Sequence, residues 1–216
     1  MAAGKRDRDR AGKSERPPAG VSPRRRQALA TRSAVIDAAQ DLFLRGGYTA
    51  TTIEAVAAAA GVAASTVYFV FGSKRGVLQA IRQRWHEQSQ FKLILDEAGR
   101  LESAAERIEL LARGTRRQWE EGPAMVRIYR GAAAADPEAA DELRRALAGR
   151  RAALDRFVAG MRGLLPPDRE PADGSAILRA LCSYEVYEEL VTASGWTGDR
   201  YEAWLAATLK AQLLDP

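Results

Sequence analysis

The side chains that perform most enzyme chemistry are scarce in this chain of 216 residues. It contains one histidine, His86, and one cysteine, Cys182. Neither has a partner at the spacing of a metal site or a nucleophilic triad. The sequence also has no phosphate-binding glycine loop and no nucleophile elbow. It therefore predicts no catalytic residue, no metal site, no cofactor and no enzyme activity.

The composition bounds the class of protein. With 46% hydrophobic residues, the chain can bury a sizeable core in one or two domains. It has no apolar run of about 18 residues and no signal-peptide core, so we expect neither a membrane span nor secretion. A single cysteine excludes an internal disulfide and is typical of the reducing cytoplasm, where we place the protein. Cys182 is expected to pack as a small hydrophobe.

Positive charge is concentrated at the N-terminal end. Residues 1–32 contain ten Lys or Arg and three Asp or Glu, and because the whole chain carries +5, the remainder carries a net −2. Several prolines and few large apolar residues predict a disordered basic arm over residues 1–23. Such an arm neutralises DNA phosphates or serves only as a solvated tail, and both readings stay open for residues 5–16. For Arg24, Arg25 and Arg26, beside the first helix, we favour contact with DNA.

The stretch from Thr51 to Leu78 has the pattern of a helix-turn-helix. Apolar residues fall at i, i+3, i+4 and i+7 from Ile53 to Ala60, which predicts one buried helix face. Thr51 and Glu54 have the spacing of a capping box. Gly61 then supplies the unhindered backbone that a sharp turn requires. Considered alone, this pattern also fits a helical hairpin within a larger bundle.

This stretch resembles the DNA-binding domain of the tetracycline-repressor (TetR) family of bacterial transcriptional regulators. The matching positions run in register without gaps. They are Thr52-Ile53, Ala57, Ala60-Gly61-Val62, Thr66-Val67-Tyr68, Phe71 and Ser73-Lys74. A dozen positions at the right spacing over nearly thirty residues make coincidence improbable.

The resemblance implies an all-α fold in which a three-helix N-terminal DNA-binding domain is joined by a long helix to a helical effector-binding and dimerisation domain. We place these domains at residues 24–85 and 86–216. The implied function is that of a homodimeric regulator, a repressor rather than an activator, which leaves a palindromic DNA operator when a small-molecule effector binds. The main alternative is a helical protein-interaction module, and a third is a redox- or metal-sensing domain with Cys182 as its reactive group.

The resemblance also places the third helix, near residues 64–71, in the major groove, with Val67 and Phe71 facing the domain core. Ala63 stands where the family has a Ser or Thr N-cap. The outer face has no Arg, Lys, Asn or Gln, so we expect contacts with thymine methyl groups, above all from Phe69. The expected DNA contacts are Arg24, Arg25, Arg26, Arg32, Thr51, Thr52, Ala64, Ser65, Thr66, Tyr68, Phe69 and Lys74.

The rest of the chain is predicted to be helical. Apolar spacing from Val77 to Trp85 predicts a fourth helix that extends to Asp96. Gly and Pro breakers separate later helices near residues 102–121, 124–135, 137–163, 174–194 and 198–214. Asp136 and Thr197 are the expected N-caps of two of them.

Two sets of residues in this half are candidate binding residues. Two-sided apolar stripes on the last two helices predict a four-helix dimer interface, although a monomeric bundle has the same stripes. A group of aromatic side chains is a candidate effector cavity, and core packing is the alternative. The interface residues are Leu178, Cys182, Tyr201, Trp204, Leu205 and Leu209. The cavity residues are Trp119, Met125, Tyr129, Tyr184, Tyr187 and Glu188.

Overall fold

A computed structural model describes residues 22–167 and 170–214, and all regular structure in these ranges is helical. The predicted all-α fold is confirmed. The predicted arm, apart from Ser22 and Pro23, lies outside the described residues. The helices are α1 Pro23–Ala50, α2 Ile53–Ala59, α3 Ala64–Phe71, α4 Lys74–Ser89, α5 Phe91–Ala98, α6 Ala104–Glu120, α7 Pro123–Ala135, α8 Pro137–Ala159, α9 Pro171–Leu181, α10 Tyr184–Tyr187 and α11 Gly198–Leu213. A π-helical turn, Glu188–Ala193, continues α10.

The first helix starts with Pro23, whose fixed φ and missing N–H suit the first helical position. Ser22 caps it, because its hydroxyl accepts a hydrogen bond from the Arg25 backbone N–H at 3.3 Å. The helical backbone is interrupted at Gly47, which has φ 81° and ψ 159°. Gly47 therefore interrupts the helical backbone three residues before α1 ends at Ala50.

Helices α2 and α3 are bent by 108° relative to each other, within the range of a helix-turn-helix. Gly61 lies at this bend with φ 66°. The predicted capping box at Thr51 is wrong. Thr52 is the N-cap of α2, and its hydroxyl accepts from the Ala55 N–H at 3.1 Å. Thr51 instead donates its hydroxyl to the Gly47 carbonyl at 2.9 Å and is buried.

The fourth helix is shorter than predicted. It ends at Ser89, and Gln90 has a left-handed backbone with φ 52° before α5 begins. The helix predicted for residues 174–194 is also interrupted, at Cys182 and Ser183. The predicted N-caps Asp136 and Thr197 are confirmed, since each accepts backbone hydrogen bonds at the start of α8 and α11.

Two hydrophobic cores organise the chain. The first is built from α1 to α4, and it also contains Ile128, Tyr129 and Ala132 from α7 and Ala139 from α8. The second is built from α5, α6, α8, α9, α10 and α11 together with Trp85. Helix α7 therefore closes the N-terminal core although it lies far along the sequence. Within the described ranges, no single helix is long and apolar enough to cross a membrane.

Candidate nucleic-acid interface and internal cavity

The outer face of α3 is apolar and strongly exposed. Phe69 has 91% of its surface accessible, Tyr68 48% and Val70 39%, whereas Val67 is fully buried. Ser65 is exposed, and Ala64 and Thr66 are half-buried. Adjacent exposed apolar side chains indicate a surface that binds a partner, because contact with the partner removes them from water. This is the arrangement that the sequence predicted for a helix that contacts base methyl groups.

The start of α3 has no side-chain cap, because Ala63 occupies that position. The start of α4 has a side-chain cap: the Ser73 hydroxyl accepts from the Gly76 N–H at 3.1 Å. The two helices approach so closely at this corner that a Cβ on Gly76 would overlap the Phe71 carbonyl oxygen. The glycine is therefore what lets α4 follow α3 without a longer loop.

Lys74 is held inside the domain. Its ammonium donates to the carbonyls of Tyr48, Thr49 and Thr51 at 2.9, 3.3 and 3.1 Å, and it lies 4.4 Å from the centre of the Tyr48 ring. An ammonium has three N–H donors, and these bonds engage all three. The prediction that Lys74 contacts phosphate directly is therefore wrong for this structure, where Lys74 ties α4 to the end of α1.

Four arginines of α1 are candidate DNA contacts, and one of them lies beside α3. Arg24, Arg25 and Arg26 lie exposed in the first turn of α1, so they belong to a helix and not to a flexible tail. Arg32 places its guanidinium 5.0 Å from the centre of the Phe71 ring, at the C-terminal end of α3. Stacking on Phe71 orders this positive charge beside the apolar helix face.

A cavity of about 480 Å³ lies behind this domain, a size typical of small-molecule sites. Its wall is formed by α4, α6, α7, α8, α9 and α10. The Trp85 and Trp119 rings stack at 5.9 Å, and Tyr184 meets Trp119 edge-on at 5.4 Å. The Trp119 indole donates to the Cys182 carbonyl at 3.0 Å, which fixes the ring at the interruption between α9 and α10.

An adjoining chamber of about 770 Å³ opens between α4, α5, α6 and α8. The side chains of Arg82, His86, Gln118, Ala146 and Arg150 line both spaces, so the two are neighbours across a shared wall. Burial, Arg82 and Arg150 lower the pKa of His86, so the neutral imidazole is favoured there.

A buried carboxylate joins α4 to this wall. Glu142 is only 4% exposed, and it accepts hydrogen bonds from the Tyr129 hydroxyl at 2.8 Å and from Gln79 Nε2 at 3.1 Å. Arg82 Nε lies 3.4 Å from the same carboxylate. Burial and then Glu142 raise the pKa of Tyr129, which keeps its hydroxyl a donor.

Comparisons with known proteins agree with this geometry. Residues 35–81 match the family model for bacterial regulatory proteins of the tetR family. Residues 35–81 form a TetR-family DNA-binding domain. The protein is accordingly a TetR-like DNA-binding transcriptional regulator, as its sequence predicted. None of the curated proteins matches the chain by sequence.

The whole fold is similar to solved regulator structures. SmeT of Stenotrophomonas maltophilia in complex with triclosan has a TM-score of 0.70 and 22% identity, over 86% of this chain and 92% of that chain. The fatty acid degradation regulator FadR from Bacillus halodurans has a TM-score of 0.66 and 16% identity, over 83% and 94%. GusR of Salmonella enterica has a TM-score of 0.65 and 19% identity, over 86% and 96%.

In this TetR-like regulator, the cavity contains four of the six predicted effector residues: Trp119, Met125, Tyr129 and Tyr184. Tyr187 and Glu188 do not line it. Tyr187 packs edge-on against Tyr201 at 5.0 Å in the second core, and Glu188 lies 3.8 Å from Arg130 on the surface. The π-helical turn after Tyr187 changes the face that these residues present.

The sequence missed the basic lining of the cavity. Arg82, Arg130, Arg150, Arg151 and Arg179 all contribute to its wall. Arginine is usually solvated, so a sequence pattern gives little reason to place it in a cavity. The sequence does contain one signal for Arg150. It lies four residues after Ala146 and eight after Glu142, so all three are on the inner face of α8.

The predicted dimer residues need correction. Leu178, Cys182, Tyr201, Leu205 and Leu209 have no exposed surface, because they form the second core of a single subunit. A side chain buried within its own subunit cannot contact another one. Trp204 alone of the predicted set is half-exposed. The apolar stripes were correctly recognised as buried, but the burying partner was the same chain.

Cys182 is a core residue, as predicted. Burial raises the pKa of its thiol to about 11, so the unreactive thiol form is the stable one near neutral pH. Among the described residues, no group of three or more His, Cys, Asp or Glu side chains is placed to hold a metal ion. This environment gives a redox- or metal-sensing role no support.

Proposed function

We propose that this chain is a homodimeric cytoplasmic repressor that binds a palindromic operator and is released when a small molecule fills the cavity behind its DNA-binding domain. The observation that carries the proposal is the double role of α4. This helix follows α3 after two residues, and three of its side chains, Arg82, Trp85 and His86, line the cavity. A ligand that displaces them moves the element that positions the recognition helix.

For DNA binding, we propose two groups of contacts. Exposed side chains of α3 reach the bases, namely Ser65, Phe69 and Val70, with Ala64, Thr66 and Tyr68 at their margins. Arg24, Arg25, Arg26 and Arg32 reach phosphates, together with Thr52 and the first backbone N–H groups of α4. Direct polar reading of bases is sparse on this surface, so methyl contacts and DNA shape supply the specificity.

For the dimer, we propose a seam beside the residues first predicted. Ile177 and Leu181 on α9 and Trp204 and Thr208 on α11 are half-exposed apolar or weakly polar side chains next to the core. Alanines at positions 176, 180 and 211 are exposed beside them and allow close helix approach. Two copies of α9 and α11 then form an isologous four-helix interface.

The effector role of the cavity is supported by analogy of fold. SmeT, which has a similar fold, was solved as a complex with triclosan. We infer that the cavity of this chain also binds a small molecule, because its volume suits a small ligand and its wall combines aromatic rings with cations.

The proposal is tested by selecting fragments of the source genome on the purified protein and measuring binding to the best fragment by gel shift. We expect an enriched palindrome whose half-sites are about one helical turn apart, bound by two subunits. Enrichment of no sequence would contradict the operator and favour a protein-interaction module. Binding that no compound weakens would leave a DNA-binding protein without an effector.

A further inference from the structure

Arg150 is the least expected residue in the cavity wall. Its guanidinium lies near two aromatic rings, 4.9 Å from the centre of Phe91 and 4.7 Å from that of Trp119. It donates to the Cys182 carbonyl at 2.7 Å and to the Gln118 side-chain oxygen. These bonds hold the side chain in place and use two of its five N–H donors.

Three of the four other arginines in the same wall have carboxylate partners, and Arg151 is the exception among the described residues. Arg179 pairs with Asp155 at 2.5 Å, Arg130 with Glu185 at 2.5 Å, and Arg82 with Glu142 at 3.4 Å. Within residues 22–167 and 170–214, no carboxylate lies within salt-bridge distance of Arg150. Burial lowers the pKa of its guanidinium, because removal from water disfavours the charged form. Arg150 is half-buried, and a cation in this position that has no carboxylate partner is stabilised by an anion that enters the cavity.

Among the described residues that line this cavity, Glu185 is the one carboxylate, and Glu142 lines the adjoining chamber. Glu185 is engaged by Arg130, and Glu142 is engaged by Tyr129, Gln79 and Arg82. Positive charge therefore dominates the space that a ligand would fill. Apolar surface completes the site, since Trp119, Tyr184 and Leu154 lie on the same wall.

We propose that the effector is an organic carboxylate with an aromatic or apolar body, which places its carboxylate on Arg150 and its body against Trp119 and Tyr184. This inference rests on the proposed effector role of the cavity and specifies its ligand class. A carboxylate on a held guanidinium forms charge-assisted hydrogen bonds in a fixed geometry. A neutral analogue of the same shape cannot form these charge-assisted bonds. We therefore expect the anion to bind roughly tenfold to hundredfold more tightly than the analogue.

The test compares 2-naphthoate with 2-naphthamide, which has nearly the same shape and no charge. Calorimetric titration of the full-length protein should show naphthoate bound roughly tenfold to hundredfold more tightly. Arg150→Gln should abolish this preference, and Arg150→Lys should retain part of it, since Lys keeps the charge without the planar fork. Thermal unfolding of each variant shows whether it is folded.

Arg144→Gln is the matched control. Arg144 is on the same helix, is exposed, pairs with Asp141 and lines neither space, so its loss should leave the preference intact. Equal binding of acid and amide by the wild-type protein, binding of neither at millimolar concentration, or an acid preference that survives in folded Arg150→Gln would overturn the proposal. If Arg150→Gln does not fold, the proposal is tested by the ratio of naphthoate to naphthamide affinity in the wild-type protein and by the reduction of that ratio in Arg150→Lys. Gel shift in the absence of small molecules measures DNA binding separately. A failure of carboxylate binding can therefore be distinguished from a failure of DNA binding.

Discussion

The Tyr129 hydroxyl donates to the Glu142 carboxylate at 2.8 Å, and this bond joins α7 to α8 beside the helix that follows the recognition helix. The same hydroxyl lies 3.2 Å from the Leu78 carbonyl of α4. Gln79 of α4 also donates to Glu142. A change in the cavity at Tyr129 therefore reaches α4 through hydrogen bonds and not through packing alone.

Tyr129→Phe removes only the hydroxyl and leaves Oε1 of buried Glu142 with Arg82 Nε, at 3.4 Å, as its remaining partner. We expect a loss of about 1–3 kcal/mol in the free energy of unfolding, measured by urea denaturation. Tyr68→Phe is the control, because Tyr68 is exposed and its change should cost less than about 0.5 kcal/mol. Equal effects of the two substitutions would mean that the bond to Glu142 adds nothing to stability.

Gly76→Ala should destabilise the protein, because the added methyl group would overlap the Phe71 carbonyl oxygen where α3 meets α4. We expect a loss of about 1–3 kcal/mol in thermal unfolding experiments, with weaker DNA binding. Gly131→Ala is the opposite case, since nothing lies within 4 Å of its new Cβ in α7. That variant should gain up to about 1 kcal/mol from helix propensity. A neutral Gly76→Ala would show that the corner has room to relax.

Lys74 and Arg32 should respond differently to loss of charge. Lys74→Met removes three hydrogen bonds to carbonyls and should lower the free energy of unfolding by about 2 kcal/mol or more. The slope of log affinity for DNA against log salt should change little in this variant. Arg32→Gln should leave stability nearly unchanged and reduce the slope of log affinity against log salt by about 0.9. Denaturation and salt-dependent fluorescence anisotropy on operator DNA distinguish them. The reverse pattern would make Lys74 the phosphate contact.

Phe69 should contact a thymine methyl group. Replacing the contacted thymine by uracil removes that methyl and should weaken wild-type binding by about 0.8 kcal/mol, close to fourfold. The Phe69→Ala variant should bind the thymine and uracil operators with equal affinity. Anisotropy with each operator position substituted in turn gives the measurement. If no position shows the effect, Phe69 has another role.

Trp204→Arg should place a charge in the proposed seam between subunits and weaken the dimer by about 3 kcal/mol or more. Sedimentation equilibrium then shows monomers at concentrations where the wild type is dimeric. Leu93→Arg makes the same chemical change at a residue of α5 that is 63% exposed and outside the seam. An intact dimer in Trp204→Arg, or monomers in Leu93→Arg, would place the interface elsewhere.

Local chemistry explains what the sequence predicted well. The turn at Gly61 and the caps at Asp136 and Thr197 depend on residues within four positions of each other, so their types suffice. Thr51 and Thr52 are adjacent and have identical side chains, so the sequence pattern could not show which of them is the N-cap of α2. The hydroxyl of Thr51 is bound to the Gly47 carbonyl, and Thr52 is the cap.

Long-range packing explains the errors. Nothing at Gln90 resembles a helix breaker, yet its left-handed backbone ends α4. Apolar periodicity showed that Leu178 and Leu205 are buried but could not show which chain buries them. Arg150 reads as a solvated side chain until the helices place two aromatic rings beside it.

The position of α7 in the N-terminal core has a consequence for folding. A fragment that ends at Ser89 would lack Ile128, Tyr129, Ala132 and Ala139, and the apolar surface of α1 that packs against α7 would face water. We therefore expect the DNA-binding half to be less stable alone than in the full chain. Its core is complete only after residue 139 has been synthesised, so the nascent chain carries an unfinished helix-turn-helix core well after the recognition helix itself has been made.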